Sequence, residues 1–139
     1  SDVYKRQSED CAKKASELSA KKITRDNLIL LQRSFINEKG LIADGRDMGT
    51  IVFPEAKFKF FITANQDIRT ERRYKELQNR GQKVNIRDLK MDIINRDKLD
   101  QERILSPLLP AKDSIIIDTS SLSPEEVFNS ALNSMEIKE

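Results

Sequence analysis

Two short stretches of this chain concentrate side chains able to do chemistry. The first is Asp44-Gly45-Arg46-Asp47, two carboxylates and a guanidinium that end the apolar run Leu41-Ile42-Ala43 and precede a second glycine, Gly49. The second is a stripe along a helix that starts near Asn85: Ile86, Leu89, Ile93, Arg96, Asp100 and Arg103. Steps of three and four put all six on one side. The first three are apolar and point inward, and the last three continue the stripe as Arg, Asp, Arg. Burying such groups without partners is costly, so they should face a polar ligand, a cleft or each other. Arg forks hold oxyanions bidentately and Asp accepts from hydroxyl or amino groups, so the trio suits a phosphate joined to a sugar or base. The plainer alternatives are a surface turn for the first stretch and a solvated, salt-bridged helix end for the second. Intrahelical pairs of that kind contribute only about 0.2–0.5 kcal/mol each.

The elements that must position these residues are readable from pattern. Helical patterning runs from about Glu9 to Lys21 and again from Arg25 to Glu38, where Gly40 is a natural stop. Leu41-Ile42-Ala43 reads as a strand. Lys57–Ala64 is aromatic and β-branched and reads as another, and Ser114–Thr119 as a third, fully buried one. Asn65 can cap a helix over Gln66–Asn79 that Gly81 ends. Asn85 can cap one reaching about Arg103, and Pro107 and Pro110 forbid its continuation. Ser123-Pro124-Glu125-Glu126 has the cap, the first-turn proline and the glutamate three residues on that open a last helix, to about Met135. Strand and helix alternate, and the strands are apolar throughout. That predicts an α/β fold with a parallel sheet covered on both faces and ligands at the carboxyl ends of its strands. Asp44-Gly45-Arg46-Asp47 follows one such end.

Bulk composition narrows the chemistry. The 139 residues suffice for one domain, with 37% hydrophobic and 35% charged residues. Lys+Arg 25 against Asp+Glu 23 leaves little of the basic excess of a general nucleic-acid binder, and 6% aromatics without Trp argue against a base-stacking platform. The chain contains no His and one cysteine, Cys11. Histidine-based nucleophilic catalysis is excluded, zinc is disfavoured, no metal ligand is assigned, and the lone thiol suits a reducing cytoplasm. The longest apolar runs are too short to cross a bilayer.

"GLIADGRDMGTIVFP", followed by "RDKLDQERILSPLLPA", closely resembles bacterial cytidylate kinase, the (d)CMP kinase of the nucleoside monophosphate kinase group, and the similarity runs from about Glu9 to the C-terminus. The resemblance implies a P-loop-kinase-type parallel sheet flanked by helices and transfer of the ATP γ-phosphoryl, with Mg2+, to CMP or dCMP. Carried over motif by motif, Arg46, Arg96 and Arg103 form the catalytic set: Arg46 and Arg96 meet phosphate, and Arg103 lies against the nucleotide. Among substrate-binding residues, Asp47 reads the cytosine edge, Arg25 pairs with it, Ser16 lies near the ribose and Asp100 takes the ribose hydroxyls. Arg72 and Arg73 fall where a lid (about 72–90) begins, and one of them is implied to contact ATP phosphates. The residues agree with this chemistry, since phosphoryl transfer needs positioning and charge neutralisation more than a protein nucleophile.

One family feature is missing. A loop of the type GxxxxGK[ST] should cradle the ATP phosphates, but the four glycines, Gly40, Gly45, Gly49 and Gly81, are none of them followed by Lys. With Ser1 in place of Met, this predicts the C-terminal portion of a cytidylate kinase core, residues 8–139, lacking the first strand and the P-loop, behind a disordered or foreign tail at 1–7. Such a portion is expected to be a monomer or to need a missing N-terminal half, to leave apolar sheet edges unpaired and to be inactive alone. Two other readings remain open. One is a non-enzymatic CMP-binding module. The other is a helical domain that contacts RNA or protein.

Overall fold

The structure, a computed structural model, describes Cys11, Lys14, Ala15, Glu17, Leu18 and residues 21–136. The five isolated positions are helical, and the rest of the first expected helix, Ser16 included, lies outside the described residues. Helix α1 (Lys22–Arg33) is followed by a long irregular segment containing a π-type turn at Met48–Val52. Then come β1 (Phe60–Thr63), α2 (Gln66–Asn79), α3 (Ile86–Gln101), β2 (Ile115–Asp118) and α4 (Pro124–Glu136). Strands β1 and β2 pair in parallel, Phe60 opposite Ile115 through Thr63 opposite Asp118. The ladder is extended by Ile115 N–H donating to Lys59 O and Thr119 N–H to Thr63 O, both at 2.8 Å.

The helix boundaries follow from local hydrogen-bond chemistry. Asn65 Oδ1 accepts from Ile68 N at 2.8 Å, and Asn85 Oδ1 from Arg87 N at 2.9 Å. Ser123 and Glu126 close a reciprocal box, Glu126 Oε2 accepting from Ser123 N at 2.7 Å and Ser123 Oγ from Glu126 N at 3.3 Å. Helix α2 ends in a Schellman motif. Gly81, at φ +72°, donates to Gln78 O, and Gln82 donates to Leu77 O. That left-handed position is why a glycine stands there. Helix α1 stops short of the expected Glu38. Asn37 turns its side chain onto Lys39 N–H and its carbonyl onto Gly40 N–H, and this turn competes with helix.

Two expectations are corrected. Leu41–Ala43 is no strand: among the described residues the sheet has two strands, and Ile42 is fully exposed. An apolar run becomes a strand only when a neighbour takes its N–H and C=O groups, and no described strand pairs with this one. The sheet is also not covered on both faces. Ile117 is buried, but Ile116 is 60% and Ile62 53% exposed. The remaining apolar core is small, with Val52, Leu77, Leu89 and Ile117 buried. Ile86, expected to point inward, is exposed as well, so the stripe is uncovered at its start while Leu89 and Asp100 further along it are buried.

Polar contacts carry much of the positioning. Lys59 is buried, with Nζ donating to Pro54 O at 2.5 Å and to Asp113 Oδ2 at 2.6 Å. Its aliphatic stem packs beneath Gly49, where an added Cβ would already be in contact with it. At Gly45 an added Cβ would come within 2.9 Å of the Met48 side chain, so this glycine makes room for the Met48 side chain folded back on it.

Candidate functional site

The turn at Met48–Val52 is the frame of the site. Ile51 and Val52 N–H both donate to Asp47 O, and Phe53 N–H donates to Met48 O, so the chain coils directly behind Arg46 and Asp47. Helix α1 docks on this coil through two arginines two turns apart. Arg25 Nη2 donates to Asp47 Oδ2, and Arg33 donates through Nε to Val52 O at 2.7 Å and through Nη2 to Ile51 O at 3.0 Å. No described residue of α1 is buried. These polar contacts, rather than apolar packing, hold the helix against the coil. Arg25 and Asp47 are each only 13% exposed in their side chains, so this is a largely desolvated pair.

The other side of the site comes from α3. Asp100 is 1% exposed, and its two oxygens meet two guanidiniums: Arg103 Nη2 stands 2.6 Å from Oδ1, and Arg46 Nη1 lies against Oδ2. Past the helix the chain turns at Ser106, whose φ is +54°, and folds back so that Leu108 N–H donates to Asp100 O at 2.9 Å. That return ties the following chain to the backbone at Asp100. Charge repulsion between guanidiniums couples the two sides. The Arg25 pKa is lowered by burial first and then by the nearby Arg103 charge. Arg46 is pushed down to about 10, first by burial, then by the charges of Arg96 and Arg103, with Asp97 opposing and Arg69 adding. A carboxylate left between crowded arginines is an arrangement that attracts an additional anion.

The structure therefore brings Arg25, Arg46, Asp47, Asp100 and Arg103 together from three separate segments, with Arg96 exposed beside them. Ser16 lies outside the described residues. Arg72 and Arg73 stand apart from this cluster. Arg72 donates to Thr119 Oγ1 at 3.0 Å and to Thr119 O at 2.5 Å, tying α2 to the end of β2, and Arg73 pairs with Glu76 at 2.8 Å. Sequence reading missed three members of the surroundings: Arg33, Arg69 and Asp97. Arg69 grips Asp97 with both Nη atoms and donates from Nε to Ala64 O at 3.1 Å, at the carboxyl end of β1. Partners 28 and 19 residues apart leave no periodic signal in one sequence.

None of the four glycines forms a phosphate cradle at the start of a helix. Gly81 caps a helix, Gly45 and Gly49 sit in a packed turn, and Gly40 closes the Asn37 turn. No group of three or more acidic or sulfur ligands among the described residues suits a metal ion.

Two parallel strands among flanking helices define an α/β protein, and its separate segments bring arginines and aspartates together. The family described as Cytidylate kinase matches residues 3–137. The chain is 48% identical over 126 residues to a cytidylate kinase of Coxiella burnetii, covering 91% of this chain and 53% of that protein. It is 45% identical over 131 residues to one of Shewanella sediminis, covering 94% and 57% respectively. The chain belongs to the cytidylate kinase family, and it spans about half the length of these curated relatives.

Proposed function

We propose that this chain binds CMP or dCMP as the acceptor half of a kinase that transfers the ATP γ-phosphoryl to it, and that alone it binds without turning over. The observation that carries the reading is the convergence of Arg25–Asp47 with Arg46–Asp100–Arg103 in a member of this family. Asp47, steadied by Arg25, accepts from the exocyclic amino group of cytosine, as carboxylates do in nucleic-acid readout. Arg46 and the exposed Arg96 take the phosphate, and Arg103 lies against the nucleotide between base and phosphate. In the ligand-free geometry Asp100 holds Arg46 and Arg103 in place, so its contact with the ribose hydroxyls requires one guanidinium to swing off it. Ser16 belongs to the ribose side. Contact with ATP phosphates falls to Arg73, or to Arg72 once it leaves the carbonyls of its loop. The ATP cradle itself belongs to no described residue, so a complementary half has to supply it. A monomer in the cytoplasm is part of the same reading.

Two measurements test this. Calorimetric titration of the folded chain should give heat with CMP and none with AMP, and silence with CMP overturns the binding assignment. A turnover assay with ATP, Mg2+ and CMP should yield no CDP. Turnover matching that of a full-length relative overturns the claim that the chain is inactive alone.

A further inference from the structure

We propose that Arg69 is an additional phosphate ligand of this site, presented by Asp97 of α3. The proposal rests on the CMP reading above and extends it to a residue which that reading does not use. Arg69 stands one turn into α2, directly after β1, and its three anchoring bonds fix the guanidinium plane: Nε to Ala64 O, and both Nη atoms to Asp97. Asp97 is the residue after Arg96 and lies one turn before Asp100, on the wall that carries the α3 arginine. The fork uses three of the five N–H donors of a guanidinium and leaves two. The side chain is 37% exposed, so the guanidinium is not sealed off from solvent.

A strut between α2 and α3 would explain the fork but not its place. A strut already exists: Lys90 Nζ stands 2.5 Å from Asp67 Oδ1 across the same two helices, at the exposed rim. The fork instead lies at the carboxyl end of β1, where α/β folds bind ligands. Its charges, together with those of Arg96 and Arg103, bear on Arg46. Counting Arg69, five guanidiniums face Asp47, Asp97 and Asp100, leaving two positive charges. That matches a phosphate monoester, which carries about −1.5 to −2 at neutral pH. Without Arg69, Asp97 would leave the site one charge short.

The test is titration of CMP, cytidine and inorganic phosphate into the parent chain, R69Q and R69K, with thermal unfolding of each. The expected result is that R69Q binds CMP and phosphate about tenfold more weakly and cytidine unchanged, with R69K in between because it keeps the charge but loses the fork. CMP and phosphate affinities unchanged in folded R69Q, or a loss shared equally with cytidine, overturn the proposal and leave Arg69 a strut. If the parent chain binds phosphate through Arg69 but does not prefer CMP to AMP, the cytosine assignment fails and Arg69 stands. A folded parent that binds neither CMP nor phosphate overturns both.

Discussion

Glu76 and Asp100 each sit between two arginines, yet the two arrangements are physically unlike. Glu76 pairs with Arg73 and Arg80, three residues before it and four after, along a single helix, and its side chain is 42% exposed. Asp100 pairs with Arg103, just past the end of its helix, but also with Arg46, from a distant segment, and is closed to water. The first is the solvated ion-pair lattice common on helices, individually weak. The second could form only after the chain had folded, because one partner has to be delivered by the coil at Met48–Val52. Charge spacing alone does not separate the two cases, since both obey the three-and-four rule. What separates them is whether a partner arrives from another element and removes the water.

Substitutions at these two carboxylates should therefore differ sharply. D100A leaves Arg46 and Arg103 crowded without a counter-charge, and the expected cost is about 3–5 kcal/mol by urea unfolding. A loss below about 1 kcal/mol would put Asp100 in the class of Glu76. D47A should weaken CMP binding by about 1–3 kcal/mol and narrow the preference for CMP over UMP, read by calorimetry. An unchanged preference would remove Asp47 from base recognition. The depressed Arg46 pKa gives a pH signature of definite sign. The folded form gives up this proton before the unfolded form does, so the cost of the buried charge is relieved as pH climbs through about 10. Anion affinity runs the other way: CMP binding should hold from pH 7 to 9 and fall above about 10, and R46M should abolish that step. The smallest effect belongs to the solvated side. E76A should cost under about 1 kcal/mol, diminishing with added salt, and leave CMP affinity as it was.

The same contrast explains what the sequence could reveal. Caps at Asn65, Asn85 and Ser123, the Gly81 stop and the strand character of "FFIT" and "IIID" are local or nearly so, and each was legible. Leu41–Ala43 was misread because apolar content signals burial or pairing only if a neighbour exists, and that lies outside any local window. Arg96, Asp100 and Arg103 stood out because charges interrupted an apolar stripe. Arg33 and Arg69 did not, since an arginine on an exposed helix looks the same whether it ends in water or on a carbonyl across the fold.

The most direct test of the account follows the arginine side chains themselves. Guanidinium Nε–H resonances of the labelled chain, assigned by substitution, are recorded with and without CMP. The account predicts shifts at Arg25, Arg46, Arg69, Arg96 and Arg103, with Arg80 and Arg87 unmoved. Shifts confined to the arginines of α2 and the start of α3, or spread evenly over all of them, would contradict it.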